Sequence, residues 1–407
     1  MLTLLTVIRL DTSLWYHACS FYTVTSMFPL NRLFRPHYRI LLLLTVLFSS
    51  VVAAQSFDNV DQANPDIRVE QLLSGLGVPW GMAFVSPQRM LITERSGQAH
   101  LLDLQTRALE TLQGLPEIVA EGQGGLLDVV VGPNYQSDGW IYFTYSRPAN
   151  AEAATTLARA RLDNLQLVDW QDLLITDSAT SSRNHFGSRI AFDQKGHVFF
   201  GVGDRGERHE AQNLSNHQGT IMRLNLDGSV PADNPFMRDT SVRAEIWSYG
   251  HRNPQGMAYD LQHQRLWSIE HGPRGGDEIN RVLPARNYGW PVISHGKEYW
   301  GPISIGDGTS KAGMEQPYKV YIPSIAPGSL MLYRGAAFPQ WQGSLFAGAL
   351  KLRHLNHISL SASGEVIGEQ RLLEDLQERI RALLQGPEGW IYFSTDSGRI
   401  LRMRPAS

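Results

Sequence analysis

The sequence predicts an all-β ring, a six-bladed β-propeller with long loops over one face. Three observations carry that expectation. One strand–turn–strand phrase recurs six times, helical periodicity is scarce, and the 37 glycines suit a chain with many hairpin turns. Apolar alternation broken by tight turns indicates antiparallel sheet. Repetition of such a unit indicates radial blades of about four strands each. A β-sandwich followed by a second domain uses the same strand chemistry, but gives no reason for six copies.

The first copy begins at Trp80-Gly-Met-Ala-Phe and returns through Arg89-Met-Leu-Ile-Thr. The second runs Leu127-Asp-Val-Val-Val, turns, and resumes at Trp140-Ile-Tyr-Phe-Thr-Tyr. Arg189-Ile-Ala-Phe with His197-Val-Phe-Phe-Gly-Val is the third, and Gly256-Met-Ala-Tyr with Arg265-Leu-Trp-Ser-Ile the fourth. A weaker fifth copy lies in 330–360, clearest at Gly343-Ser-Leu-Phe-Ala-Gly-Ala. The sixth pairs Ile380-Arg-Ala-Leu-Leu with Trp390-Ile-Tyr-Phe-Ser-Thr. Two stretches, 203–246 and 271–327, are polar, rich in Gly and Pro, and far longer than a turn requires. Loops of that length in a compact fold usually carry function.

Composition narrows the function. A net charge of −3 argues against nucleic acid, which asks for a basic stripe. The single cysteine, Cys19, excludes a disulfide framework, a Cys-based zinc site and an iron–sulfur centre. Ile40–Val52 is an apolar run preceded by Arg32, Arg35 and Arg39 and followed by Ala53-Ala54, the pattern of a secretory signal peptide. It is short for a membrane span. Residues 1–54 are therefore expected to be a leader, with Met27 an alternative start that would make 1–26 an overextension. Residues 55–407 would form one propeller domain, periplasmic or secreted, with no stable membrane span.

Several constellations bear on chemistry. Gly201-Val-Gly-Asp-Arg-Gly206 matches a dinucleotide fingerprint in form, but no apolar crossover helix follows it. His185 precedes the third repeat's first strand and Asp204 follows its second. Adjacent antiparallel strands could join them into an imidazole oriented by a carboxylate, as in a general base; a surface-loop histidine is the alternative. Arg252 and Asn253 sit at one blade entrance, Arg379 and Arg381 at another, and Lys351 follows a strand ending in Ala349-Leu350. Converging cations suit a small polyanionic ligand, although each could be ordinary surface charge. The segment His271–Asn280 followed by Asn287–Pro291 sets carboxylates among glycines and carbonyls, suiting Ca²⁺ or an acidic turn. The histidines between His185 and His357 lack the paired spacing of a zinc site.

Taken together, these motifs resemble the soluble PQQ-dependent aldose sugar dehydrogenases and the related soluble quinoprotein glucose dehydrogenases. The resemblance runs from Pro79 to Asp396 through Gly122–Asp128, Asn184–Ile190, Gly203–Gly206, Trp247–Gly256, Glu270–Glu278 and Asn287–Pro291. It implies that His185 is the catalytic base and Asp204 its orienting partner. It implies that Gln123, Arg252, Asn253, Tyr299, Lys351, Arg379 and Arg381 hold PQQ. One calcium would sit with PQQ and the Gly272 and Pro273 carbonyls; Glu278 and the Tyr288 carbonyl would hold a structural calcium. Leu352-Arg353 departs from the family pattern after Lys351, and the loops over 295–330 align poorly. The implied reaction is oxidation of an aldose at C1 to a lactone. His185 would take the proton while hydride goes to PQQ, and the electrons would pass to an external quinone, dye or cytochrome. The protein would be a monomer or homodimer. A calcium-dependent propeller hydrolase such as a lactonase would not need the cations, and a non-catalytic extracellular binding propeller would need neither them nor His185.

Overall fold

The computed structural model describes residues 66–406. The leader expected over 1–54, with Cys19 and Met27, lies outside the described residues. Each of the six phrases forms the first two strands of a four-stranded antiparallel sheet. Blade 1 comprises Pro79–Ser86, Arg89–Glu94, Gln98–Asp103 and Leu109–Thr111. Blade 2 comprises Leu126–Val131, Trp140–Ala149, Glu152–Asp163 and Gln166–Ile175. Blade 3 comprises Ile190–Phe192, His197–Val202, Thr220–Asn225 and Ile246–Tyr249. Blade 4 is Pro254–Asp260, Arg265–Glu270, Asp277–Val282 and Lys319–Tyr321. Blade 5 is Pro327–Leu332, Leu345–Ala349, His354–Leu360 and Val366–Leu372. Blade 6 is Ile380–Gln385, Ile391–Thr395 and Ile400–Pro405, and its fourth strand is Ile67–Leu73 from the other end of the ring.

The first strands of the blades touch one another in a closed cycle around the axis. Closure is completed by Ile67–Leu73, which pairs antiparallel with Ile400–Pro405, Val69 opposite Met403. That pairing gives the last blade its fourth strand. The core lies between blades rather than at one centre. Ala83 and Leu91 of blade 1 pack with Val129 and Phe143 of blade 2, and Leu345 of blade 5 with Trp267 of blade 4. This is why the first strands read as nearly continuous apolar runs: both faces are covered.

The long insertions need correction. The stretch 203–246 contains the third strand of blade 3, and 271–327 contains the third and fourth strands of blade 4. Their polar positions hid them. Thr220 and Arg223 are buried within one, and Asp277 and Asn280 within the other, each held by hydrogen bonds as well as packing, although Arg223 Nε and Asn280 Oδ1 find no partner among the described residues. The remaining loop, 283–318, is still long.

Candidate active site

His185 lies on the loop entering blade 3 and Asp204 on the loop leaving its second strand. They meet: Nδ1 of His185 is 2.5 Å from Oδ1 of Asp204. The Gly203 backbone must pass His185 closely, for a Cβ there would lie 2.4 Å from the His185 carbonyl oxygen. His185 itself sits at φ +55°, a left-handed conformation that costs a non-glycine residue energy and tends to persist where surrounding contacts enforce it.

Those contacts are visible. The amide of His185 donates to Gln123 Oε1 at 2.8 Å, and the amide of Gln123 donates to the Arg183 carbonyl at 2.8 Å. Arg205, fully buried, donates to the carbonyls of Asn184, Ala153, Ser178 and Ser182 and lies 3.6 Å over the Phe186 ring. Burial pulls its pKa down to about 10, still well above neutrality. Asp204 Oδ2 accepts the Trp290 indole N–H at 2.7 Å, and Oδ1 accepts the Gly206 amide at 2.8 Å. Burial opposes ionisation of Asp204, but its hydrogen bonds and nearby cations hold its pKa below the ordinary value. Burial lowers the pKa of His185, with the Arg252 charge adding to the effect and Asp204 opposing it. Nδ1–H is therefore donated to an ionised carboxylate. Nε2, which has no partner among the described residues, is left as a basic lone pair.

A cavity of about 170 Å³ opens beside the dyad, lined among others by Gln123, Phe186, Gly187, Gln255, Arg379 and Arg381. Arg379 and Arg381 share one counter-charge: Asp396 accepts from the Nε of each at 2.8 Å. Arg95 also lines the cavity and has no hydrogen-bond or ion-pair partner for its guanidinium among the described residues. Arg252 stands at the adjoining edge, donating from Nη1 to the carbonyls of His271 and Gly272, while its buried Nε has no acceptor. Asn253 accepts the Gly187 amide, but its buried Nδ2 has no acceptor among the described residues. Guanidinium exceeds carboxylate and buried donors are orphaned, a donor set that fits a polyanion.

His271 lines this cavity and a smaller one of about 20 Å³. Its Nε2–H donates to the Pro327 carbonyl at 2.7 Å, and burial drives its pKa down to about 3, so the ring is neutral. Gly272, Pro273, Glu278 and Tyr288, expected to serve two calcium ions, all line the smaller cavity together with Glu270. Glu270 and Glu278 face each other in register on neighbouring strands. Burial, then the Glu270 charge, pushes Glu278 up to about 8. The buried Asn280 Oδ1 has no donor. Two opposed carboxylates and a spare oxygen fit a hard cation. Among the described residues no cluster of three metal-ligating side chains occurs, so carbonyls would complete such a site.

Two expected residues stand apart. Tyr299 is 67% exposed at the tip of a loop bridged at Lys297 and Ser304, and Lys351 is exposed; neither lines the cavities. Sequence reasoning missed Trp290, Arg205, Glu270, Arg95 and Asp396. Trp290 and Glu270 lay within motifs that were singled out, Arg205 directly follows Asp204, and Arg95 directly follows the first hairpin's second strand. Arg95, Glu270 and Asp396 stand where second strands end, much as Asp204 does, so that position could have marked them; nothing in the spacing announced Trp290.

Comparison with known proteins gives the family. The Glucose / Sorbosone dehydrogenase family model matches residues 76–402. Aldose sugar dehydrogenase YliI of Escherichia coli is 40% identical over 347 residues, covering 83% of this chain and 93% of that protein. Quinoprotein glucose dehydrogenase B of Acinetobacter calcoaceticus is 29% identical over 272 residues, covering 60% of this chain and 55% of that protein. The crystal structure of the soluble aldose sugar dehydrogenase of Escherichia coli in its apo-form matches with a TM-score of 0.80 at 40% identity, covering 83% of this chain and 99% of that one. Because the family match extends from blade 1 into blade 6, the chain belongs to the glucose/sorbosone dehydrogenases and is an oxidoreductase acting on sugars.

Proposed function

We propose that this enzyme oxidises aldoses at C1 to lactones, using PQQ and calcium, with His185 as the base. The observation that carries the reading is the surplus of guanidinium over carboxylate beside the His185–Asp204 pair. A hydrolase working through calcium and His185 alone would leave those cations without a task. PQQ, when bound, supplies the quinone that accepts hydride from C1, which no side chain here can do. Arg95, Arg252, Arg379 and Arg381 would pair with its three carboxylates, Asn253 Nδ2 would donate to it, and Gln123 holds the adjacent loop. Tyr299 and Lys351, which line neither cavity, are proposed as further PQQ contacts. His185 Nε2 takes the proton of the anomeric hydroxyl. Asp204, fixed by Trp290, holds the tautomer and stabilises the imidazolium that results. The electrons leave to an external acceptor in the periplasm or outside the cell. Among the described residues no helix is long and apolar enough to cross a membrane.

Apoprotein supplied with PQQ and Ca²⁺ should reduce an artificial electron-accepting dye with one or more aldoses. Absence of both turnover and a PQQ spectral change would end this reading. Calcium alone should raise the apoprotein Tm by about 3 °C or more at saturation. Glu278→Gln should abolish that rise, and an equal rise in the variant would place calcium elsewhere.

The lowered pKa of His185 gives a signed pH dependence. The base stays neutral below the ordinary histidine value of 6.5, so the acid limb of kcat/KM should lie under pH 6.5. Because the folded value is depressed, the stability it contributes is present above 6.5 and lost as pH falls through the lowered value. Arg252→Ala, measured at saturating PQQ, should move the acid limb upward by removing a repelling charge. A limb that stays in place or moves down would refute the assignment.

A further inference from the structure

Arg189 immediately precedes the first strand of blade 3, and its side chain is buried on the ring axis. Its guanidinium has five N–H donors, and each finds an acceptor on a different blade. Nη1 donates to the Trp80 carbonyl of blade 1 at 3.1 Å and to Asp128 Oδ1 of blade 2 at 2.8 Å. Nε donates to the Gln255 carbonyl of blade 4 at 3.0 Å. Nη2 donates to the Gly328 carbonyl of blade 5 at 2.7 Å and the Arg381 carbonyl of blade 6 at 3.0 Å. Asp128 returns to blade 3 by accepting the Ile190 amide on Oδ2 at 2.9 Å. One side chain thus joins all six innermost strands.

The joined positions are not arbitrary. Trp80, Gln255 and Arg381, whose carbonyls Arg189 holds, line the cavity beside His185. The Trp80 ring also lies 3.8 Å from the guanidinium. Gln255 reaches the Gly187 carbonyl at 3.1 Å, two residues from His185, and Gly328 follows the Pro327 carbonyl that orients His271. Arg189 and Asp128 themselves line a second cavity of about 270 Å³ along the axis, with walls that include Met82, Phe84, Val131, Met257 and Leu384.

We infer that Arg189, with Asp128, is a positioning residue. It forms the septum between the cofactor cavity and the axial channel and sets the spacing of the inner strands that carry the cavity's walls. The inference relies on the PQQ reading for the ligand's identity alone; the septum itself is a property of the apoprotein. No other side chain offers five donors in one plane. Lysine carries the charge but has three donors on one nitrogen, so Arg189→Lys leaves at least two acceptors unmatched.

The test compares wild type and Arg189→Lys under conditions where far-UV circular dichroism shows both folded. Two measurements are made: amide hydrogen exchange on the apoprotein, and PQQ titration in the presence of Ca²⁺ followed by tryptophan quenching. Exchange should quicken by about tenfold or more in 79–82, 254–257, 327–330 and 380–383, while 98–103 and 354–360 stay within about twofold. The PQQ Kd should rise about tenfold or more. Uniform acceleration along all strands, unchanged exchange, or a PQQ Kd within about twofold of wild type would each overturn the inference. A wild type that binds no PQQ would count against the cofactor reading, and the apoprotein exchange pattern would then decide the role of Arg189. If Arg189→Lys fails to fold, Asp128→Asn carries the same two measurements, because it keeps the side-chain shape while removing the counter-charge.

Discussion

His185→Asn is expected to lower kcat by about 10²–10⁴-fold while leaving PQQ affinity within about threefold of wild type. The separation follows from how the loop is built. Its backbone is held by Gln123 and by the four carbonyls that Arg205 gathers, none of which uses the imidazole. Asparagine is the better probe than alanine because it accepts the left-handed backbone at this position more readily. Asp204→Asn tests the same pair from the other side. It weakens the hold on the tautomer and should also cost about 10²–10⁴-fold in kcat, with the Trp290 contact to its side chain still possible. Dye-coupled turnover with saturating sugar, alongside PQQ titration, reads both effects. Sugar oxidation by loaded His185→Asn within about threefold of wild type would remove His185 from the chemistry.

Arg252→Ala and Arg95→Met should act on the other axis, weakening PQQ by about 10–150-fold each, the range for a charge-assisted hydrogen bond lost from a partly buried site. Arg252 is expected to show the larger effect, because its removal also deprives the His271 and Gly272 carbonyls of a donor. The Arg95 guanidinium has no hydrogen-bond or ion-pair partner among the described residues, so Arg95→Met should leave apoprotein Tm nearly unchanged while affinity falls. Arg147→Ala, which removes an ion pair with Asp172 between strands of blade 2, is the control and should change affinity by less than about twofold. Equal PQQ binding by Arg95→Met, Arg252→Ala and this control would show that the cavity is not the cofactor's seat.

Much of the molecule was legible because propeller chemistry is local and repeated. Phrases such as Trp80-Gly-Met-Ala-Phe and Gly256-Met-Ala-Tyr state a strand, its buried faces and its turn within a few residues. Six of them give the blade number without any long-range information. His185 and Asp204 were legible for the same reason: they flank one hairpin, and antiparallel pairing brings such ends together. The third strands of blades 3 and 4 were not legible. Thr220–Asn225 and Asp277–Val282 bury polar groups that bond to loop residues and neighbouring strands, so their hydropathy resembles that of loops. Tyr299, in a poorly aligned loop, and Lys351, followed by the divergent Leu352-Arg353, do not line the cavity that holds Arg379 and Arg381.

The sequence by itself determined the repeat, the strand–turn grammar, the absence of thiol chemistry beyond residue 19 and the meeting of His185 with Asp204 across one hairpin. Tertiary structure decided the contacts between loops of different blades: it lays Trp290 against Asp204 and leaves the Arg95 guanidinium without a partner among the described residues. Asp396 beside Arg379 and Arg381, and Glu270 opposite Glu278, are set within single hairpins of blades 6 and 4. The physical reason is range. Alternation and turn formation act over a few residues and are written in order along the chain. Charge balance and donor satisfaction act across a few ångströms of space, and Arg189 shows how far apart in sequence those neighbours lie: its acceptors run from Trp80 to Arg381.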